Sequence, residues 1–385
     1  MHDMKSSRPH ILLVSVGMYG QKYLEETTGG DVGGDVVGIV DVAPNLAEKF
    51  PVIAERNIPV FTSLESFFER NRAELAVISS PIHLHAGMVR ECLRNGANVL
   101  CEKPLCLTEE ETRGLVEAAK QANRFLAVGW QLDYDRAVLA LKRDILSGKF
   151  GRPMRIRCVH AMRRGRKYYA RSNWAGRISL DGREVLDSPF MNACAHNFQL
   201  MTFLLGDTME TPAEIGSAEG ELYRGNPNVE NYDIAALRFE TIGHVPMYYY
   251  TAHPLKTKNL GQDGRAEFEH GTLTWGRGKP FQVVTDTGET ICYGMEGDTP
   301  LMQKLYDAVQ CVKDGNAPLC GAEAGLSHLR AVRMAQELQI QDIDPTHIEW
   351  LEEAGDLFPC VNGVEEVFLA SAEKWALPGE IGLSL

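Results

Sequence analysis

The chain has 385 residues, 44% of them apolar and 24% charged, with a net charge of −13 at neutral pH. That length exceeds a usual single domain of roughly 100–200 residues, so two domains are expected. The acidic balance disfavours nucleic acid and anionic membrane surfaces as partners, because both would repel the chain.

The opening MHDMKSSRPH runs into ILLVSV without the small-residue cleavage site of a signal peptide, and no run approaches the roughly 20 apolar residues of a spanning helix. A cytoplasmic protein without a membrane partner is the expectation. Strands are then predicted at 11–16, 36–40, 75–80, 97–101 and 125–129. Helical spacing fills 45–56, 64–72, 85–95 and 108–122, the last opening on a capping box of Thr108 and Glu111. Fully apolar strands separated by helices imply a parallel sheet covered on both faces, an α/β Rossmann domain over residues 1–130.

From about residue 150 strand-like runs follow one another, at 154–162, 233–240, 244–252, 265–275 and 281–294. Glycine and asparagine turns between several of them suggest hairpins. Residues 131–385 are therefore expected to form an α+β domain, carrying a large, mostly antiparallel open sheet. Helices near 188–205, 300–314 and 322–340 would cover one face and leave the other to solvent or a second subunit. A homodimer or homotetramer would follow, and a cleft between the two halves is the natural place for chemistry. Nine cysteines are scattered without a CxxC pair, as reduced thiols packed like small apolar groups would be. No metal site is expected.

The first strand enters SVGMYGQKYL. Gly17 and Gly20 allow close approach of a pyrophosphate and tight helix–strand packing, with Met18 and Tyr19 between them and Ser15 where a full fingerprint has its first glycine. A G-x-x-G after a strand is also a common turn. Asp41, 21 residues after Gly20 and at the end of the second strand, tips the reading, because a carboxylate there can hold ribose hydroxyls. Val42, Ala43 and Pro44 offer no cation for a 2′-phosphate, which favours NAD over NADP. A solvated strand-end aspartate is the plain alternative.

A second signal is the strand ANVLC running directly into Glu102, Lys103 and Pro104. Proline biases Lys103 to an extended backbone, from which its ammonium can project past the strand end. With SVGMYG, VVGIVD, SSPIHLH, GANVLCEKPL and GKFGRPMRI, and more thinly NWAGRI and SPFMNACAHNFQLMTFLLG, the chain resembles the glucose–fructose oxidoreductase, inositol dehydrogenase and rhizopine catabolism (Gfo/Idh/MocA) family of NAD(P)-dependent oxidoreductases.

The resemblance implies hydride transfer at a carbinol carbon of a sugar, inositol or polyol. Lys103 would bind substrate and take part in proton transfer, Pro104 would stack near the nicotinamide, and Glu102 would orient the lysine or a ribose. Ser79, Ser80, Pro81 and His85 would line the nucleotide. His83 and His85 form an HxH, but no third ligand group supports a metal. The family's DxxxH helix reads NACAH here, Asn192 and His196, four apart and so on one helix face. His196 is the candidate base, since an imidazole titrates near about 6.5; a histidine satisfied inside an apolar helix is the alternative. Asn192 departs from the family aspartate: it can bond a hydroxyl but cannot hold charge.

In GRKYYARSNWAGRI, Arg166, Lys167, Tyr168, Arg171 and Trp174 suit a polyhydroxylated or anionic ligand, with Arg171 and Trp174 foremost. A basic surface loop would read the same way. Two further functions stay open: an NAD-using glycoside hydrolase of the same fold, and a non-catalytic sugar or nucleotide sensor.

Overall fold

A computed structural model describes residues 8–383 and 385. The chain forms two compact units, one running to Tyr134 and including Pro300–Leu326, the other made of Asp135–Thr299 with Ser327–Leu385. The sequence boundary at 130/131 thus differs by a few residues at the crossing, and by a returning segment. Helix Gln303–Asp314, expected on the antiparallel sheet, instead buries Leu305, Ala308 and Val309, with Met302, in the core of the first unit beside Leu13, Val77 and Leu100. Apolar spacing identifies a buried helix face, but it does not say which sheet covers that face.

In the first unit six strands, β1 (His10–Val14), β2 (Asp35–Val40), β3 (Val60–Phe61), β4 (Leu75–Ile78), β5 (Asn98–Cys101) and β6 (Leu126–Val128), pair in parallel in the order β3-β2-β1-β4-β5-β6. The strand order reverses between β1 and β4, where sheets of this kind bind ligands beyond the carboxyl ends of their strands. The turns after β1, β4 and β5 therefore share one edge. The helix read at 45–56 is two short ones, Leu46–Lys49 and Val52–Glu55, split at Pro51, whose missing N–H and ring disfavour a continuous helix. Thr108 caps the helix Glu109–Ala122 by accepting the Glu111 N–H at 3.1 Å.

The second unit holds a nine-stranded mixed sheet. In spatial order its strands are Thr290–Met295, Lys279–Thr285, Gly271–Gly276, Asn259–Phe268, Pro153–Met162, Pro246–Ala252, Ile234–Thr241, Ile215–Arg224 and Ile340–Asp342. Two of its eight pairings are parallel, 246–252 on 153–162 and 340–342 on 215–224. Strand Ile215–Arg224, polar and rich in glycine and glutamate, carries no apolar run and was not anticipated.

Side chains alternate across the pleat, and the consecutive Tyr248, Tyr249 and Tyr250 show where each face goes. Tyr249 packs on Phe190 and Phe198, ring centroids 5.6 Å away, under helix Ala195–Leu205. Tyr250 meets Phe368, and Tyr248 meets Trp375, on the opposite face. Helix Val364–Lys374 thus covers part of the face that the sequence reading left open.

Candidate functional site

The turn after β1 is shaped by steric necessity. Ser15, at the position of the missing first glycine, has φ 63°, the left-handed backbone that a glycine adopts without cost. Its carbonyl is taken by the Ser79 hydroxyl at 2.8 Å, tying the β1 and β4 turns together. A Cβ on Gly20 would lie 2.0 Å from the Ser15 carbonyl oxygen, whereas one on Gly17 would meet nothing within 4 Å. Gly20 is therefore required by the turn, whereas the backbone at Gly17 faces open space. Met18, between them, is 66% exposed with φ 47°.

Asp41 closes the same edge. One carboxylate oxygen accepts the Val16 N–H at 2.9 Å and the other the Ala43 N–H at 2.8 Å. Both oxygens keep a lone pair, and the side chain is half-buried, so it is aimed and still able to accept hydroxyl protons. Together with the N-terminal end of helix Gly20–Gly29 these groups fit an adenosine–pyrophosphate: a gap a Cβ would narrow, a positive helix end and a held carboxylate.

Pro81 stands before helix Ile82–Arg94, and Ser80 is buried with its hydroxyl unpartnered. His83 is exposed and His85 is 1% exposed, two residues apart and pointing to different sides of the helix. The His85 ring nitrogens lie against two carbonyls, Ser80 at 2.8 Å and Pro104 at 2.9 Å, to one of which a neutral imidazole donates. His85 braces the β4 and β5 turns where the sequence reading had it lining a nucleotide, and burial, only partly offset by those carbonyls, lowers its pKa. Among the described residues no three His, Cys, Asp or Glu side chains gather as a metal site requires. Seven of the nine cysteines are buried.

Glu102 is turned inward. It is 8% exposed, accepts the Tyr23 hydroxyl at 2.7 Å and forms an ion pair with the fully buried Lys304. Lys304 also reaches the Tyr19 hydroxyl at 3.3 Å. Burial alone would lower the lysine pKa, but Glu102 and Tyr19 outweigh it and leave it raised. Glu102, expected to orient the lysine or a ribose, thus has its carboxylate on Tyr23 and on Lys304, a residue the sequence reading did not single out. The cue was a lone lysine on the apolar face of PLMQKLYDAV. Lys103 is half-buried next to it, its N–H donating to the Glu102 carboxylate at 3.3 Å, and the Lys103–Pro104 bond is cis.

In the second unit Asn192 lies on a π-helical turn, Pro189–Ala193, and His196 in the first turn of helix Ala195–Leu205. On that helix and turn, Asn192, Ala193 and His196 are half-buried among neighbours that are fully buried, so Asn192 and His196 share its one open face. Asn192 donates from Nδ2 to Asp187 at 2.9 Å. Asp187, 3% exposed, also accepts the Gly176 N–H at 2.7 Å and has the Arg171 guanidinium 3.9 Å away. Arg171 stacks on Tyr168 at 3.6 Å and on Trp174 at 4.9 Å from the ring centroids. Arg171 is therefore spent largely inside the protein, while Arg166, placed over Trp350, and Lys167 are exposed. The sequence cue to Asp187 is a carboxylate within a mostly apolar stretch, VLDSPFM.

Residues 10–130 match the family model described as oxidoreductase family, NAD-binding Rossmann fold. The chain is 25% identical over 195 residues, 50% of its length, to inositol 2-dehydrogenase 1 of Saccharopolyspora erythraea, and that stretch spans about half, 53%, of the relative. It is 26% identical over 272 residues to the 1,5-anhydro-D-fructose reductase of Ensifer adhaerens, covering 70% of this chain and 75% of that one. Among solved structures, the WlbA dehydrogenase of Bordetella pertussis, determined with NADH and UDP-GlcNAcA, superposes with a TM-score of 0.70 at 21% identity, over 86% of this chain and 97% of that one; this is a likeness of fold.

Proposed function

We propose that this chain, which belongs through residues 10–130 to the NAD-binding Gfo/Idh/MocA oxidoreductases, interconverts a carbinol and a carbonyl on a sugar, inositol or related polyol. The observation that carries the reading is the carboxyl edge of the first sheet. There an open Gly17, a closed Gly20 and a backbone-held Asp41 share one edge with Lys103 at the end of β5. NAD, when bound, supplies the hydride acceptor.

The protein's own groups do the rest. Asp41 accepts ribose hydroxyls with its remaining lone pairs, which a 2′-phosphate would repel, so NAD is preferred over NADP. The Lys103 ammonium donates to the reacting oxygen and lowers the cost of alkoxide character as the proton departs. His196 takes that proton from the hydroxyl oxygen while the hydride leaves the carbinol carbon, and Asn192 bonds a substrate hydroxyl. Trp174 offers an aromatic face to sugar C–H groups. The relatives act on inositol and on an anhydro sugar by their names, which is why cyclic polyols lead the substrate class. The same reading takes the protein as a cytoplasmic homodimer or homotetramer. Among the described residues no helix is long and apolar enough to cross a membrane.

The test is calorimetric titration with NAD and NADP, followed by a screen of polyols for formation of reduced cofactor. NAD should bind tighter than NADP, and Asp41→Ala should weaken NAD by about tenfold, one hydrogen-bonded charge in affinity terms. Lys103→Ala and His196→Ala should each lower turnover by roughly 100-fold or more without loss of NAD binding. Full turnover in either variant would sink the assignment.

A further inference from the structure

Resting on the dehydrogenase reading above, we propose that Asp187 supplies the carboxylate that position 192 lacks, acting as a positioning residue that fixes Asn192 as a hydrogen-bond acceptor on the face it shares with His196. An ionised carboxylate accepts and cannot donate, so an amide in contact with it must present its nitrogen. The Asn192 Nδ2 is the atom 2.9 Å from Asp187. The carbonyl oxygen is then the atom that Asn192 turns away from Asp187. In this way an asparagine offers substrate the same kind of atom that an aspartate would, while the formal charge sits one hydrogen bond deeper.

The surroundings of Asp187 suit that task. Its second oxygen is held by the Gly176 N–H at 2.7 Å, and the Arg171 guanidinium lies 3.9 Å away, between the Tyr168 and Trp174 rings. With 3% exposure, water does not compete for it. A neutral amide at 187 could not do the same work. Its single oxygen can serve either Gly176 or Asn192, and if it serves the backbone its own NH2 meets the NH2 of Asn192. The Asn192 amide would then flip and present a donor where an acceptor stood.

The tests are Asp187→Asn, Asn192→Asp and the exchange of both, Asp187→Asn with Asn192→Asp, assayed with NAD and the best polyol from the screen. Asp187→Asn should lower kcat by roughly 10–100-fold with KM for the polyol changed less than about threefold. The exchange, which restores a carboxylate at 192 bonded to an amide at 187, should recover most of the lost kcat. A packing role alone would not be rescued in that way. Unchanged kcat in Asp187→Asn, or an exchange variant as slow as Asp187→Asn, overturns the proposal. A readout independent of turnover separates it from the dehydrogenase reading: the Asn192 side-chain amide in the NMR spectrum of asparagine-labelled protein. Its proton facing Asp187 should be shifted and slow to exchange in the wild type, and neither in Asp187→Ala or Asp187→Asn. An amide signal identical in all three overturns the positioning role even where no polyol is turned over. Loss of the signal with no turnover of any polyol in the wild type would leave the positioning standing and remove only the dehydrogenase reading.

Discussion

Glu102 and Asp187 are buried carboxylates, one in each unit, each within a few residues of a candidate catalytic group. Glu102 meets the ammonium of Lys304 directly and takes the Tyr23 hydroxyl besides. Asp187 has the Arg171 guanidinium at 3.9 Å and accepts a backbone N–H and the Asn192 amide. A charge neutralised by direct contact is committed to holding the chain together. One held by neutral donors still projects its field on whatever those donors touch, because little screening lies between them. The first carboxylate is architecture beside a site; the second can take part in one.

The largest expected effect breaks the first arrangement. Lys304→Met leaves Glu102 buried without its cation and should cost about 3–5 kcal/mol in urea unfolding, with Glu102→Gln added to it recovering most of the loss. Arg171→Met should cost only about 2 kcal/mol, since Asp187 keeps its Gly176 and Asn192 bonds. Equal losses in the two variants would erase the distinction.

A second contrast concerns pH. His253, buried with Nδ1 2.7 Å from the Tyr169 hydroxyl, has its pKa held well below the usual imidazole value by burial first, then by Arg164, Arg171 and His160. As pH falls through about 6.5 the unfolded chain takes a proton on this imidazole before the folded one does. The unfolded state then binds more protons, and stability is lost below pH about 6.5, by up to about 1.4 kcal/mol per pH unit from this group. His253→Gln should remove that part of the slope, read from urea midpoints at several pH values; an unaltered slope would show the imidazole charged in the fold.

The smallest effect has the opposite sign. Ser15→Gly relieves the left-handed backbone and should stabilise the first unit by about 1 kcal/mol, although it gives up whatever the Ser15 side chain contributes. A destabilised variant would mean that the hydroxyl matters more than the backbone.

How far these features could be read beforehand follows from how local they are. Strands β1, β2, β4, β5 and β6 and the turn from Val14 to Gly20 rest on neighbours in sequence, apolar runs and glycines at fixed offsets, and they were legible. Asn192 and His196 were legible as a pair only through the resemblance to the family's DxxxH helix, and the structure puts them on a π-helical turn and on the helix that follows it. Lys304 was not: its partner Glu102 lies 202 residues away. Nor was the burial of Asp187 against Arg171 and Gly176, which depends on how the loop after strand Pro153–Met162 folds back onto the π-helical turn.

The order of residues by itself determined the parallel first sheet and its glycine turn, because each depends on backbone geometry or periodicity over a few residues, while Lys103, Asn192 and His196 were singled out through the resemblance to the oxidoreductase family. Only the tertiary structure decided that helix Gln303–Asp314 belongs to the first sheet, that Glu102 faces inward, and that a carboxylate stands behind Asn192. Buried charges choose partners by proximity in space, and in a chain of this length that proximity is set by packing between segments far apart in sequence.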